Sequence, residues 1–514
     1  MKQIKKTCKR VLQKTNLFLL LFLILSSCSS DDDHATPPDL SNENRITSFI
    51  FTKANNANLS EDINGVMNQE DLTINISFPS GTNVKNLTPT ISISDLATVN
   101  PKSDISVDLT APVIYTVTAE NKAIRKYTVE ATVAAPIPLS DREILELFYN
   151  ANPSNTLGWD LNADSMNTWA GVTLDDDRVT VLDVHLKSIS TIPATFGGLS
   201  KLEKLFIYDN QISELPAEFG NLTSLKTLNI ANNTLGNYPT ELEQLNNLEH
   251  LAIGSNQITS LPNSIENLSS KLVLLNLDGN ELTSIPSAIG NLTSLLNLSA
   301  HNNKMTSIPS EIGNLNQIWT LNLSNNFLVQ LPSEIGDMDD LEILNLEYNE
   351  INSLPDAIGN LSKLKTLQLS ENQLALLPAT IGDLTNLTLL DLEYNNLTVI
   401  HSSIGSLSSL ETLTLNNNKI ATLPSEIGNL NITSLILSVN KLTSIPKSIS
   451  TMNNLVGLYL SDNELTSIPP EIGNLTGLVA LYLTSNQLTT IPQKVCDLET
   501  SGTTITKDPS VTCL

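Results

Sequence analysis

The hydrophobic pattern changes along the chain, and its longest stretch is strictly periodic. From residue 179 to residue 492, leucines recur in the pattern LxxLxLxxNxLxxLP. The asparagine of this pattern occurs thirteen times at a spacing of 23 residues, with one step of 24 and one of 22. These positions are Asn210, Asn233, Asn256, Asn280, Asn303, Asn326, Asn349, Asn372, Asn395, Asn418, Asn440, Asn463 and Asn486. A degenerate first turn with Lys187 in the asparagine position brings the repeat array to about fourteen turns.

Each repeat predicts one turn of a solenoid. In a segment such as Leu-Asn-Leu at 321–323, strand alternation points both leucines inward and the residue between them outward. The asparagine amide can donate and accept where the chain turns and backbone groups would otherwise be buried unpaired. Because one turn cannot bury its leucines alone, the turns must stack. The pattern therefore predicts an α/β solenoid, a horseshoe with a parallel β-sheet on its concave face.

Three other regions lie before and after the repeats. Residues 46–134 contain short β-branched runs separated by Gly, Pro, Asn and Asp, which predicts a small all-β sandwich. Residues 135–178 start with the linker AAPIPL and continue into an N-terminal cap for the repeat array, and residues 493–514 form the C-terminal cap.

A helix is predicted at the start of the N-terminal cap. Ser140 and Glu143 have the spacing of a capping box, in which each residue bonds the backbone N–H of the other. We expect Ile144, Leu147 and Phe148 to share the buried face of this helix.

The first 45 residues have no pattern of a packed core. Six lysines and arginines precede the nine apolar residues of 17–25, which predicts a secretory signal peptide over residues 1–27. This apolar run is shorter than the roughly 20 residues that a membrane-spanning helix needs. Residues 28–45 are polar, acidic and proline-containing, so they predict a flexible tether.

The end of the signal resembles the lipobox of bacterial lipoproteins. Its residues 25–28 read Leu-Ser-Ser-Cys, and the resemblance implies that Cys28 carries the lipid and anchors the protein to the membrane. The acidic export tag of some surface lipoproteins is similar to the next five residues, Ser29, Ser30, Asp31, Asp32 and Asp33. We expect an outer membrane lipoprotein exposed at the cell surface. The alternatives are an ordinary cleavage site beside an incidental cysteine, and a solvated linker on a periplasm-facing protein.

Three further resemblances cover the rest of the chain. Residues 46–134 resemble immunoglobulin-like domains near the N-termini of bacterial surface lipoproteins, which usually act as spacers. Trp159 and the Trp-Ala-Gly-Val run at 169–172 resemble the N-terminal cap of plant-type leucine-rich repeat receptors, without the cysteine pair of that cap. Capping would then rest on packing alone. Residues 179–492 resemble the leucine-rich repeat family of the 23-residue type.

Cysteine usage agrees with export. Of the four cysteines, Cys8 falls within the signal and Cys28 at the lipobox, which leaves Cys496 and Cys513. An even pair in an oxidising compartment predicts a disulfide, with two free thiols as the alternative.

Composition excludes several classes of function. The formal charge of −26 would repel a polyphosphate, so no nucleic acid partner is expected. The five histidines are scattered, and no metalloprotease, hydrolase or phosphate-loop motif occurs in the sequence. Acidic runs at 175–177 and 337–340 lack the full ligand spacing of a calcium loop and indicate solvated turns. We therefore expect no catalysis, no cofactor and no metal.

Binding residues are expected on the variable concave positions. The central candidates combine carboxylates, amides and aromatic rings: Asn345, Glu347, Tyr348, Gln368, Glu371, Asp391, Glu393 and Tyr394. A second candidate is the row Ile436, Tyr459 and Tyr482 on consecutive strands, which would either bind a ligand or cover the end of the sheet. A solvated polar sheet is the alternative for the central set.

These features together predict a non-catalytic recognition or adhesion lipoprotein. Its concave repeat face would bind a protein partner on the cell exterior. Carbohydrate capture and a passive structural role in the envelope are the alternatives.

Overall fold

The computed structural model describes residues 39–134 and 138–514. These two ranges form two separate compact units. The predicted signal peptide, the lipidation site Cys28 and the export residues 29–33 lie outside the described residues. No helix in the described ranges is both long and apolar enough to cross a membrane.

The first unit consists of two β-sheets. Its described strands are β1 Ile46–Phe51, β2 Ile63–Asn64, β3 Val66–Asn68, β4 Thr73–Phe78, β5 Thr90–Ile93, β6 Thr98–Asn100, β7 Val113–Thr118 and β8 Ile124–Val133. One sheet has the order β2-β1-β5 and the other the order β3-β4-β8-β7-β6, with β4 and β8 parallel. The small all-β domain is thus observed, and its immunoglobulin-like character stays a prediction.

Aromatic side chains form the core of this first unit. Strand alternation buries them, as in β4, where every second residue points inward. Phe49 makes edge contacts with Phe51 and Tyr115 at ring distances of 5.7 and 5.1 Å. The hydroxyl of Tyr115 has no hydrogen-bond partner among the residues that the structure describes, whereas that of the equally buried Tyr127 donates to Gln69 at 2.6 Å.

The second unit starts with the N-terminal cap, which contains helix α1 Asp141–Ala151, the 3-10 helix Met166–Thr168 and strand β9 Val172–Asp175. The predicted capping box of Ser140 and Glu143 is confirmed. The prediction for Leu147 is wrong, because it is 44% exposed and Leu145 is buried in its place. The buried face of the helix is therefore formed by Asp141, Ile144, Leu145 and Phe148.

Ring packing, hydrogen bonds and an ion pair hold the cap together. The rings of Trp159 and Trp169 stack at 4.9 Å, and both indole N–H groups donate to backbone carbonyls. The buried carboxylate of Asp141 accepts from the Arg178 guanidinium at 3.0 Å and from the Val179 N–H at 2.7 Å. These bonds fasten α1 to the first repeat strand.

The repeats form one long parallel sheet. Its strands are β10 Arg178–Asp183, β11 Lys204–Phe206, β12 Thr227–Asn229, β13 His250–Ala252, β14 Leu274–Asn276, β15 Asn297–Ser299, β16 Thr320–Asn322, β17 Ile343–Asn345, β18 Thr366–Gln368, β19 Leu389–Asp391, β20 Thr412–Thr414, β21 Ser434–Ile436, β22 Gly457–Tyr459, β23 Ala480–Tyr482 and β25 Thr504–Thr506. Strand β24 Thr490–Ile491 belongs to a separate two-stranded sheet. With β9, which pairs antiparallel to β10, the described sheet has 16 strands. This observation shows the predicted leucine-rich repeat solenoid.

The convex side is built from short 3-10 helices, each entered in most repeats through a proline. They span Ala194–Gly198, Ala217–Asn221, Thr240–Gln244, Asn263–Asn267, Ser287–Asn291, Ser310–Asn314, Ser333–Asp337, Asp356–Asn360, Ala379–Asp383, Ser402–Ser406, Ser425–Asn429, Lys447–Thr451 and Pro470–Asn474. Glycine lets neighbouring turns approach closely. A Cβ on Gly336 would lie 2.3 Å from the carbonyl oxygen of Ala357.

The predicted asparagines form a continuous buried ladder. Asn349 is typical: its Nδ2 donates to the carbonyls of Leu323 and Leu346 at 3.0 Å, and its Oδ1 accepts from the Leu328 N–H at 3.0 Å. One amide therefore pairs backbone groups of two successive turns, as expected from its ability to donate and accept.

The C-terminal cap contains helix α2 Gln493–Cys496, the 3-10 helix Asp497–Ser501 and strand β26 Thr512–Cys513, which pairs with β24. Cys496 and Cys513 are joined by a disulfide, with a Cα–Cα distance of 6.2 Å. The bond closes the last turn of the array.

Candidate binding surface on the concave face

The strand register places six of the eleven predicted binding residues in one row across the concave face. Asn345 pairs with Gln368, Gln368 with Asp391, and the row continues through Thr414. The same row then reaches Ile436, Tyr459 and Tyr482. Sequence reasoning thus identified the outward position of each strand, and the parallel sheet brings these positions together.

Glu347 lies at the centre of a hydrogen-bond network. Its Oε1 accepts from the Gln368 amide at 3.0 Å and from the Ser370 hydroxyl at 3.1 Å. Its backbone N–H donates to Asn345 Oδ1 at 3.0 Å. Donors from the next turn therefore hold this carboxylate on the surface of the sheet.

The neighbouring carboxylates are held in the same way. Asp391 accepts from the hydroxyl of Thr414 and from the backbone N–H of Glu393, the latter at 3.2 Å. Glu393 accepts from the side-chain amides of Asn416 and Asn417. All these donors are neutral, so the carboxylates remain available to attract a cationic group.

Tyr348, Glu371 and Tyr394 occupy one further row on three consecutive turns. Each has a left-handed backbone, with φ of 53°, 55° and 51°, and directly precedes a ladder asparagine. The two tyrosines are 57% and 48% exposed. Because strands lie about 4.8 Å apart, the tyrosines are about 10 Å apart with the glutamate between them.

The C-terminal tyrosines form a stack. The rings of Tyr459 and Tyr482 lie 5.1 Å apart at an angle of 12°. Tyr459 also lies over Gly457, where an added Cβ would come within 2.7 Å of the ring. Both rings are half-buried, and Ile436 occupies the next position in the row. This geometry fits both roles predicted for these residues, which are to bind a ligand or to cover the end of the sheet.

Sequence reasoning missed a second aromatic cluster at the N-terminal end of the sheet. The rings of His185 and Tyr208 stack at 4.7 Å and 5°, and Asp183 Oδ1 lies 2.6 Å from His185 Nδ1. The first turn departs from the consensus, so the repeat pattern does not mark His185 as a residue of the concave face. Aligning that turn by its strand would have placed it beside Tyr208.

Residues 39–134 and 138–514 contain no group of three or more His, Cys, Asp or Glu side chains that could hold a metal ion. Asp340, in one of the acidic runs, instead forms an ion pair with Lys363.

The fold and this surface define a class: a solenoid scaffold with a broad concave face lined by polar and aromatic side chains. Family models identify its parts. The leucine-rich repeat models match residues 177–235, 271–292, 340–418, 409–430 and 430–497. The model described as "SGBP, N-terminal" matches residues 46–131. None of the curated proteins matches this chain.

Solved structures agree with the repeat models. A leucine-rich repeat protein of Leptospira interrogans is 30% identical, with a TM-score of 0.50, and the match covers 72% of this chain and 100% of that one. The PEPR1–AtPEP1 structure is 30% identical, with a TM-score of 0.59, over 73% of this chain and 58% of that one. An internalin of Listeria monocytogenes is 25% identical, with a TM-score of 0.50, over 64% and 86%. The chain belongs to the leucine-rich repeat family.

Proposed function

We propose that this protein is a non-catalytic recognition protein whose concave face binds a protein segment rich in basic residues. The observation that carries the proposal is the row of Tyr348, Glu371 and Tyr394, in which two exposed tyrosines flank a half-buried glutamate. Tyrosines are strong interface anchors because they bury large rings with little loss of conformational freedom. A carboxylate between two such anchors fits a lysine or arginine side chain.

The charge of the surrounding surface supports a basic ligand. Glu347, Asp391 and Glu393 lie beside this row and are bonded only to neutral donors among the described residues. The whole chain carries a formal charge of −26, which would steer a cationic segment towards it. The similar PEPR1–AtPEP1 structure supports the proposal further, because its name joins a protein with a similar repeat array to a second molecule.

Substitutions in this row test the proposal. Glu371→Gln combined with Tyr348→Ala and Tyr394→Ala should remove most binding to an array of Lys- and Arg-containing peptides. The reason is that the variant loses both anchors and the charge between them. Glu311→Gln and Glu334→Gln, on exposed convex turns, provide the matched control. Unchanged peptide binding by the triple variant would refute the central site.

Carbohydrate capture is the second candidate function. The match of residues 46–131 to the SGBP model favours it, and so do the stacked aromatic rings at both ends of the concave sheet. A glycan array probed with the whole protein, beside the peptide array, separates the two functions. If neither array gives saturable binding, a structural role in the envelope is the better account.

Surface display through a lipid on Cys28 is part of the proposal. Its support is the sequence Leu-Ser-Ser-Cys at 25–28 and the acidic run that follows it. Metabolic labelling with a fatty-acid analogue should mark the protein, and Cys28→Ser should abolish the label. Protease treatment of intact cells should cleave the repeat domain, whereas protection would place it facing the periplasm.

A further inference from the structure

The concave face is not uniformly filled by side chains. Two residues beyond the outward position of each strand lies a second row, which runs Tyr208, Ala231, Gly254, Asp278 and His301 over five consecutive turns. Large side chains at both ends of this row therefore flank two turns with small residues, Ala231 with a methyl group and Gly254 with a hydrogen. The small residues leave a notch in the surface.

Tyr208 forms the first wall of the notch. Its ring stacks on His185 at 4.7 Å, and the His185 ring is held by Asp183. The ring separation matches the strand spacing of about 4.8 Å, so the rings face each other along the direction in which the strands stack. One face of Tyr208 is covered by His185, and the other is turned towards Ala231, which is too small to cover it.

Asp278 and His301 form the opposite wall. Asp278 accepts from the Asn276 amide at 2.8 Å and from the His301 backbone N–H at 2.8 Å. His301 Nδ1 lies 2.8 Å from the Ser324 hydroxyl, which fixes the ring. Within the described ranges, His301 Nε2 has no hydrogen-bond partner. This wall is preorganised and still offers an unused polar group.

At Gly254 the floor between the walls cannot hold a side chain. A Cβ on Gly254 would lie 2.8 Å from both the Asn276 Oδ1 and the Asp278 carbonyl oxygen. Beside the floor, Asn229 uses its Oδ1 to accept from the Ala231 N–H at 3.1 Å. Its Nδ2 is left without a partner among the residues of the two described ranges. The walls are three strands apart, or about 14 Å between backbones.

We propose that this notch binds one pyranose ring of a neutral glycan. The ring stacks on the open face of Tyr208, while its hydroxyls accept from Asn229 Nδ2 and bond Asp278 and His301. A flat apolar face combined with a few placed polar groups is the usual construction of a small-ligand site. The nearby carboxylates of Asp183 and Asp278 disfavour acidic sugars. This inference rests on the second proposed function, carbohydrate capture.

Calorimetry of the whole protein with neutral and uronic-acid polysaccharides tests the notch. Tyr208→Ala should weaken binding of the neutral glycan by at least about tenfold, and Tyr208→Phe should retain it, since stacking needs only the ring. Ala231→Trp should also weaken binding by filling the notch without removing a wall. Trp319→Ala is the matched control, because it removes an exposed aromatic side chain that lies outside this row.

The outcomes separate the site from the function. Binding of neutral glycan that survives both Tyr208→Ala and Ala231→Trp overturns the notch and leaves carbohydrate capture standing. Absence of any glycan binding by the wild-type protein overturns both. Tighter binding of uronic-acid polysaccharides than of neutral ones refutes the assigned ligand class. Ala231→Asn, a smaller change, replaces Ala231→Trp if circular dichroism shows that the tryptophan variant is misfolded.

Discussion

Replacing Asn349 by alanine would test whether the asparagine ladder holds the turns together. The change removes donors to the carbonyls of Leu323, Leu346 and Glu347 and the only acceptor that the described residues offer to the Leu328 N–H. The side chain is buried, so water cannot replace these bonds.

The magnitude follows from which groups keep a second partner. The Leu323 and Leu346 carbonyls still accept from Asn326 and Asn372, so each loses only part of its bonding, about 0.5–1.5 kcal/mol. The Leu328 N–H is left buried without an acceptor, at about 1–3 kcal/mol. The free energy of unfolding should therefore fall by about 2–6 kcal/mol.

Urea denaturation followed by circular dichroism measures this loss. Asn352→Ala, an exposed asparagine three residues further along, is the matched control and should change the free energy of unfolding by less than about 0.5 kcal/mol. Asn486→Ala, at the half-exposed end of the ladder, should cost less than Asn349→Ala. A loss below about 1 kcal/mol for Asn349→Ala would refute the accounting of buried backbone groups.

Three further changes have definite expected results. Tyr115→Phe should stabilise the first unit by about 1 kcal/mol, since it removes an unpaired buried hydroxyl, whereas Tyr127→Phe should destabilise it. Burial also raises the pKa of Tyr115 to about 12, so the folded state favours the neutral phenol. In alkaline denaturation, the stability of the wild-type protein should therefore fall between pH 10 and pH 12, and that of Tyr115→Phe should fall less. Val439→Asn should raise the melting temperature because a β-branched residue is strained at φ 55°, and Asn417→Val at φ 58° should lower it. Gly336→Ala should cost about 1–3 kcal/mol in urea denaturation, and an unchanged midpoint would contradict the close packing of the convex turns.

The repeat could be predicted from sequence because each turn repeats the same physical problem. Leucines at fixed spacing must point inward, and the buried turn needs an amide such as that of Asn349. Once the inward positions were assigned, the outward row from Asn345 to Tyr482 followed from strand alternation. A periodic core therefore determines its own surface positions.

The remaining contacts depend on geometry that a single sequence does not encode locally. The bond from Asp141 to Arg178 joins residues far apart in sequence, and no spacing rule points to it. The burial of Leu145 instead of Leu147 depends on the direction from which the array approaches the helix. The stack of His185 on Tyr208 lies in a turn that departs from the consensus.

The ladder also determines how this molecule would respond to a pulling force. Each ladder amide connects only adjacent turns, so tension applied between the two ends of the array is carried by the inter-turn interfaces in series. Under tension such an array peels open one turn at a time at low force, instead of failing as a single block. The disulfide between Cys496 and Cys513 keeps the final turn closed, so mechanical opening starts elsewhere in the array.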